Sequence, residues 1–260
     1  MRNYLAGIWK CRYFWGSLVL LDLRARYRGS FLGAGWSLLN PLAMTAVICT
    51  VWHFVFGMDI RSFGASLLAG ICFWNFVTAV TTEGCLCFVR GETYIRQYPA
   101  PVAIYPLRVV LGGLVHFLIS LSVLLTLSWF FYGFGNLPAL STLIPVLGLL
   151  LLFGWALGLL AAFANTYFPD VQHVSTVGLQ ILFYATPIIY PAQMLRDKGL
   201  GWAVDFNPLA AMLQLIRSPI LHAELPSLLA IGVSVAFVSL LVAVAILTLV
   251  RLRNTVVFQL

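Results

Sequence analysis

STLIPVLGLLLLFGWALGLLAAFA, residues 141–164, carries no charged side chain from end to end. A helix rising ~1.5 Å per residue needs about 20 such residues to cross a bilayer core of ~30 Å, so this stretch reads as a transmembrane helix. Windows of about 19 residues find the same signal near 35–57, 65–88, 109–132, 174–190 and 227–250, giving six expected spans. Composition agrees. The 260 residues are 62% apolar and 9% charged, against roughly 25% charged in a soluble domain. The fold class expected is all-α and integral to the membrane, a single domain over residues 1–260. It divides into an N-terminal segment (1–34), five spans (35–190), an external segment (191–226), and a sixth span with its tail (227–260).

The first apolar stretch, Phe14 to Leu23, is too short to span and lacks a small-residue cleavage site, so it is not read as a signal peptide. Phe14, Leu18, Leu21 and Ala25 recur at helical spacing and form one apolar face. Arg24 and Arg28 fall on another face, and Asp22 precedes Arg26 by four, the favourable orientation for a helical ion pair. This is the pattern of a helix lying in the headgroup plane.

Bases outnumber acids 15 to 8, a net charge of +7, and their positions orient the chain because Lys and Arg resist translocation. They cluster before residue 35, in the connection 89–108 (Arg90, Arg96, Arg108) and in the tail (Arg251, Arg253). Both termini and that connection are therefore expected on the cytoplasmic side. The basic balance reads as membrane anchoring, and no nucleic-acid partner is expected. The segment 191–226 is apolar yet broken by prolines and glycines, too interrupted to span, and reads as one or two re-entrant or interfacial helices on the outer side.

Chemistry-bearing patterns are sparse. Cys11, Cys49, Cys72, Cys85 and Cys87 show no disulfide or zinc spacing, and the four histidines fall on separate segments. HExxH, GxSxG and the phosphate-cradling GxxxxGK[ST] loop are absent, so no enzyme activity and no cofactor is expected on this chain. If it moves a solute uphill with nucleotide energy, another chain must bind the ATP and Mg.

Polar residues inside the spans do form stripes. His173, Thr176, Gln180 and Tyr184 share a sector of the fifth span, and Asn75, Thr78 and Thr82 share one on the second. Such stripes offer donors and acceptors without fixed charge, which suits a route for a hydroxyl-rich solute. They equally suit helix-to-helix packing with hydroxyls bonded to i−4 carbonyls. Trp52 and Phe56, four apart, share a face and could stack on sugar rings, or belong to the interfacial aromatic belt. Glu83, the one acid placed inside a span, is expected to pair with a base such as Arg90.

The run Arg26-Tyr27-Arg28-Gly29-Ser30-Phe31-Leu32-Gly33-Ala34-Gly35-Trp36-Ser37-Leu38-Leu39-Asn40-Pro41-Leu42 resembles the opening of the first span of ABC-2 type polysaccharide exporter permeases. These are the membrane subunits of O-antigen, teichoic acid and capsule transporters. Tyr94-Ile95-Arg96-Gln97-Tyr98-Pro99 with Pro106, the run from Phe183 through Pro187 to Pro191, and Asn207-Pro208 through Arg217 extend the likeness over nearly the whole chain. The resemblance implies a homodimer of six-span subunits, a separate ABC ATPase on each, a channel between subunits for a lipid-linked polysaccharide, and outer re-entrant helices as a gate. By position, residues 14–29 match the interfacial helix and roughly 90–106 match the ATPase-contacting loop, with Glu92, Tyr94, Ile95, Arg96, Pro99 and Pro101 as coupling residues. The family's Phe-Arg-Asp pattern becomes Phe168-Pro169-Asp170 here, where Asp170 is placed to cap the fifth span. An ABC-2 exporter of a small hydrophobic drug or lipid shares this architecture. A membrane enzyme acting on lipid-linked sugars lacks a catalytic cluster in this sequence.

Overall fold

The computed structural model describes residues 2–29, 33–97, 100–133, 137–253 and 255, which are helical and contain no strand. Two short helices lead: α1 (Arg2–Lys10) and α2 (Arg12–Tyr27). The long elements are α3 (Trp36–Phe56), α4 (Ile60–Gln97), α5 (Ile104–Tyr132), α7 (Leu143–Tyr167, preceded by the short α6, Leu137–Ser141) and α12 (Leu228–Leu252). Those five are the described helices long and apolar enough to cross a membrane.

The remaining expected span, the fifth (174–190), falls on α8 (Val171–Ala185), fifteen residues long. That is ~22 Å of helix, short of the hydrocarbon core. The cause is local. Pro187 biases Thr186 toward extended backbone, and Thr186 sits at ψ 135°. Asp170 occupies the position before α8, but its side chain makes no capping bond. The first free amides of α8 instead reach back to carbonyls, Val171 N–H to Phe168 O and Gln172 N–H to Pro169 O, which removes the need for a carboxylate cap.

α4 is the central mast. It has thirty-eight residues, ~57 Å, nearly twice the core thickness. α5, α7, α3 and α8 pack around it. Its crossing with α7 depends on glycine: a Cβ at Gly84 would lie 2.8 Å from the Gly158 Cα, so the two backbones touch. Gly154 and Gly158 stand four apart on α7, a small-residue pair of the kind that lets membrane helices approach closely. One apolar cluster lies around Phe73, Val80, Phe153 and Leu150; a second, toward the chain termini, gathers Phe88, Tyr105, Phe163 and Leu249.

The expected broken segment is three short helices, α9 (Ala192–Asp197), α10 (Gly201–Asp205) and α11 (Pro208–Arg217), followed by a π turn at Ser218–His222. Asn207 caps α11 by accepting from the Leu209 and Ala210 amides, with Pro208 at the first helical position. Apart from Gln214 and Arg217, α11 is buried from Leu209 to Ile216.

Candidate functional site

α2 ends beside the start of α3, and between them, α4 and α5 opens a cleft of about 500 Å³. Asn75, Thr78 and Thr82, expected as one polar face, line it together with Ser37, Asn40, His116 and Ser120. A second lobe of about 340 Å³ continues toward Arg90 and Arg108, sharing Arg26, Ala79, Glu83, Gly113 and His116 with the first. Gly112 and Gly113 of α5 leave that part of the floor without side chains.

Polarity is graded along the cleft. In the first lobe, hydroxyls and amides dominate. Tyr27 Oη lies 2.6 Å from His116 Nδ1 and 3.1 Å from Ser37 Oγ, which is itself 3.0 Å from that nitrogen, so three helices meet in one hydrogen-bonded knot. In the second lobe two acids meet three bases. Glu83 pairs with Arg90, as expected. Asp22 does not take Arg26; the Arg108 fork grips its carboxylate through Nε and Nη2. Two parallel bonds from a rigid guanidinium on α5 outcompete a single flexible contact along α2. Arg24, Arg26 and Arg28 are exposed, and Arg26 lines both lobes.

The other expected path residues lie elsewhere. His173, Thr176, Gln180 and Tyr184 share the uncovered face of α8 with Val174, Val177 and Ile181, and none lines the cleft. Thr176 returns its hydroxyl to Gln172 O, and Thr82 to Thr78 O, so these two hydroxyls already have a partner on their own helix. Trp52 stacks on Phe56 at 4.5 Å between centroids and leans on Phe63 of α4. The sequence groups these residues as one route; within one chain they form three separate surfaces.

The residues expected to couple to an ATPase sit near α1 and Arg253. Glu92 and Arg96 form an i, i+4 ion pair at 2.9 Å in the last turns of α4. Tyr94 meets Phe14 edge-on at 5.9 Å, and Ile95 packs on the second apolar cluster. Pro101 lies close to Gly7 of α1, and the Ala103 amide donates to Tyr4 Oη at 3.2 Å. Arg253 of the tail stands over the Tyr4 ring. Pro99 lies outside the described residues. The helix α1, which carries Tyr4 and Gly7 into this assembly, was not foreseen; its nine residues are too few and too mixed to register in a span-length window. The Gly154–Gly158 pair was also passed over, although a Gly-x-x-x-Gly run in an apolar helix is a legible packing signal.

Among the described residues no group of three His, Cys, Asp or Glu side chains could hold a metal ion.

A model of the family described as ABC-2 type transporter matches residues 15–221. An O-antigen export system permease protein of Klebsiella pneumoniae is 27% identical over 251 residues, covering 93% of this chain and 94% of that protein. One from Myxococcus xanthus is 29% identical over 213 residues, 81% of each chain. A polysialic acid transport protein of Escherichia coli is 20% identical over 242 residues, 92% of each.

Proposed function

Because this chain belongs to the ABC-2 type transporter family, a multi-pass membrane family, we propose that it is the permease subunit of an ATP-driven exporter of a lipid-linked polysaccharide. The supporting observation is the pairing of O-antigen export relatives along nearly the full chain with a cleft against the interfacial helix whose first lobe carries hydroxyls and amides beside Arg26 and Glu83. Hydroxyls and amides bind sugar hydroxyls without the strong point attractions that would stall a sliding chain, as weak repeated sites do in channels. A small hydrophobic drug or lipid would make little use of Asn75 and Thr78 on α4 and of Ser37 and Asn40 facing them from α3.

The working unit in this reading is a homodimer in the inner membrane, each copy carrying a separate ABC ATPase that binds ATP and Mg. The ATPase docks at the end of the bundle formed by Glu92, Tyr94, Ile95, Arg96, Pro99 and Pro101, together with α1. The uncovered faces of α3 and α8 meet their counterparts across the channel, which brings Gln180 and Tyr184, with Trp52 and Phe56, to the path. α8 with the turn 186–190 completes a sixth crossing, and α9 to α11 form the re-entrant gate. Both chain ends lie at one end of the bundle, where Arg253 covers Tyr4 and Tyr167 bonds Thr255 at 2.8 Å; an even number of crossings accounts for that.

The test is export of glycan by cells expressing this chain with its neighbouring ATPase, combined with cysteine labelling from outside in a background without native thiols. Leu137→Cys or Lys198→Cys should label and Arg96→Cys should not. Labelling at position 96 in intact cells would overturn the topology, and ATP-dependent export of a small lipid but no glycan would overturn the substrate.

A further inference from the structure

Arg217 closes α11 at the end of the bundle away from the chain termini, and it forms no ion pair with any described carboxylate. Its partners are backbone carbonyls. Nε and Nη2 donate to Ser66 O on α4 at 3.0 and 2.8 Å, Nη1 donates to Pro187 O at 2.9 Å, and Nη2 also reaches Ile188 O at 3.4 Å. A guanidinium stays charged at neutral pH.

The location explains why carbonyls suffice. Pro187 and Ile188 follow the C-terminus of α8, where unpaired carbonyls and the negative end of the helix dipole favour a cation. Space has been left for it: a Cβ at Gly70 would stand 2.8 Å from Nη2 and 2.9 Å from Ile188 Cγ2. The gripped turn is closed off from its surroundings, with Thr186 at 0% and Ile188 at 1% exposure. Two lesser ties hold it, Asn207 Nδ2 to Thr186 Oγ1 at 3.3 Å and Tyr190 Oη to Tyr184 O at 2.9 Å.

We propose that Arg217 is a positioning residue for export: by clasping the backbone of turn 186–190 to α4 and α11 it holds the end of α8 in place, and with it Gln180 and Tyr184 at the exit. This rests on the reading of α8 as a wall of the path. The clasp demands arginine. A planar fork reaches carbonyls on two elements at once, whereas lysine brings a single point of charge on a flexible stem. It touches no substrate.

The experiment uses the full chain with its ATPase in three variants, Arg217→Gln, Arg217→Lys and Gly70→Ala, the last keeping the arginine but crowding its fork. Each is combined with Ile188→Cys in a background without native thiols and probed with a membrane-impermeant maleimide. Expected are a rise in labelling at position 188 and a fall in export of about tenfold each, with ATPase association and the thermal midpoint of the purified complex retained. Arg217→Lys should behave like Arg217→Gln. Should either arginine variant misfold, Gly70→Ala carries the same readouts. Unchanged labelling in all variants, or rescue of export by lysine, overturns the clasp. Gln180→Leu, run in parallel, separates the two ideas: normal export there sinks the path reading, while labelling at 188 still decides Arg217.

Discussion

α4 and α8 each carry a polar stripe, and their surroundings differ. On α4 the stripe Asn75, Thr78 and Thr82 is faced by α2, α3 and α5, so a single chain already builds its cleft. On α8 the stripe shares an uncovered face with Val174, Val177 and Ile181, each 59–67% exposed. A polar row interleaved with large apolar side chains is not a stable lipid-facing surface, because each amide or hydroxyl left in hydrocarbon without a partner is costly. The two stripes therefore point to two stages of assembly. One site is complete within a chain; the other is complete only against something else, here proposed as the second copy.

That contrast can be broken most severely at α4. Gly84→Val would drive a branched side chain into the Gly158 backbone, and overpacking of about 3 kcal/mol should prevent recovery of a stable subunit, measured as yield and thermal midpoint in detergent. A variant that folds normally would mean that α4 and α7 can separate, and that the cleft is not a rigid property of one chain. Smaller changes sharpen the comparison. Asn75→Leu and Gln180→Leu should each lower export about tenfold, ~1.4 kcal/mol, while leaving the thermal midpoint of the subunit within a few degrees of the parent. If Gln180→Leu lowers that midpoint and spares export, the α8 stripe is packing material. Thr176→Val should do least, under ~0.5 kcal/mol in stability and no measurable change in export, because its hydroxyl is already spent on Gln172 O.

Much of this was legible from local pattern. Hydropathy located the five described helices long enough to cross a membrane, its remaining segment falls on the shorter α8, and helical spacing grouped Asn75 with Thr78 and Thr82 on the cleft wall where they stand. The i, i+7 pair Glu83 and Arg90 was within reach because one helix holds both. What local pattern misses is the partner from elsewhere. Asp22 has an acceptable base four residues on, yet Arg108, eighty-six residues away, takes it. The knot of Tyr27, Ser37 and His116 joins three helices, and no window along the chain contains it. The shortening of α8 was readable from Pro187, but a hydropathy window averages over a proline that ends a helix. Turn 186–190 needed tertiary structure too, since the cation that holds it sits near the end of α11.

A rod pinned near one end turns small pushes into larger swings. Gly84 touches Gly158 thirteen residues from the Gln97 end of α4 and twenty-four from Ile60, arms of ~20 and ~36 Å. If α4 tilts about that contact as a stiff body, a docked partner that displaces the short arm by about 1 Å carries the far tip about 1.8 Å the other way. A modest stroke at the Gln97 end, where the ATPase is proposed to dock, would thereby be geared up at the far end, with no hinge anywhere along the shaft.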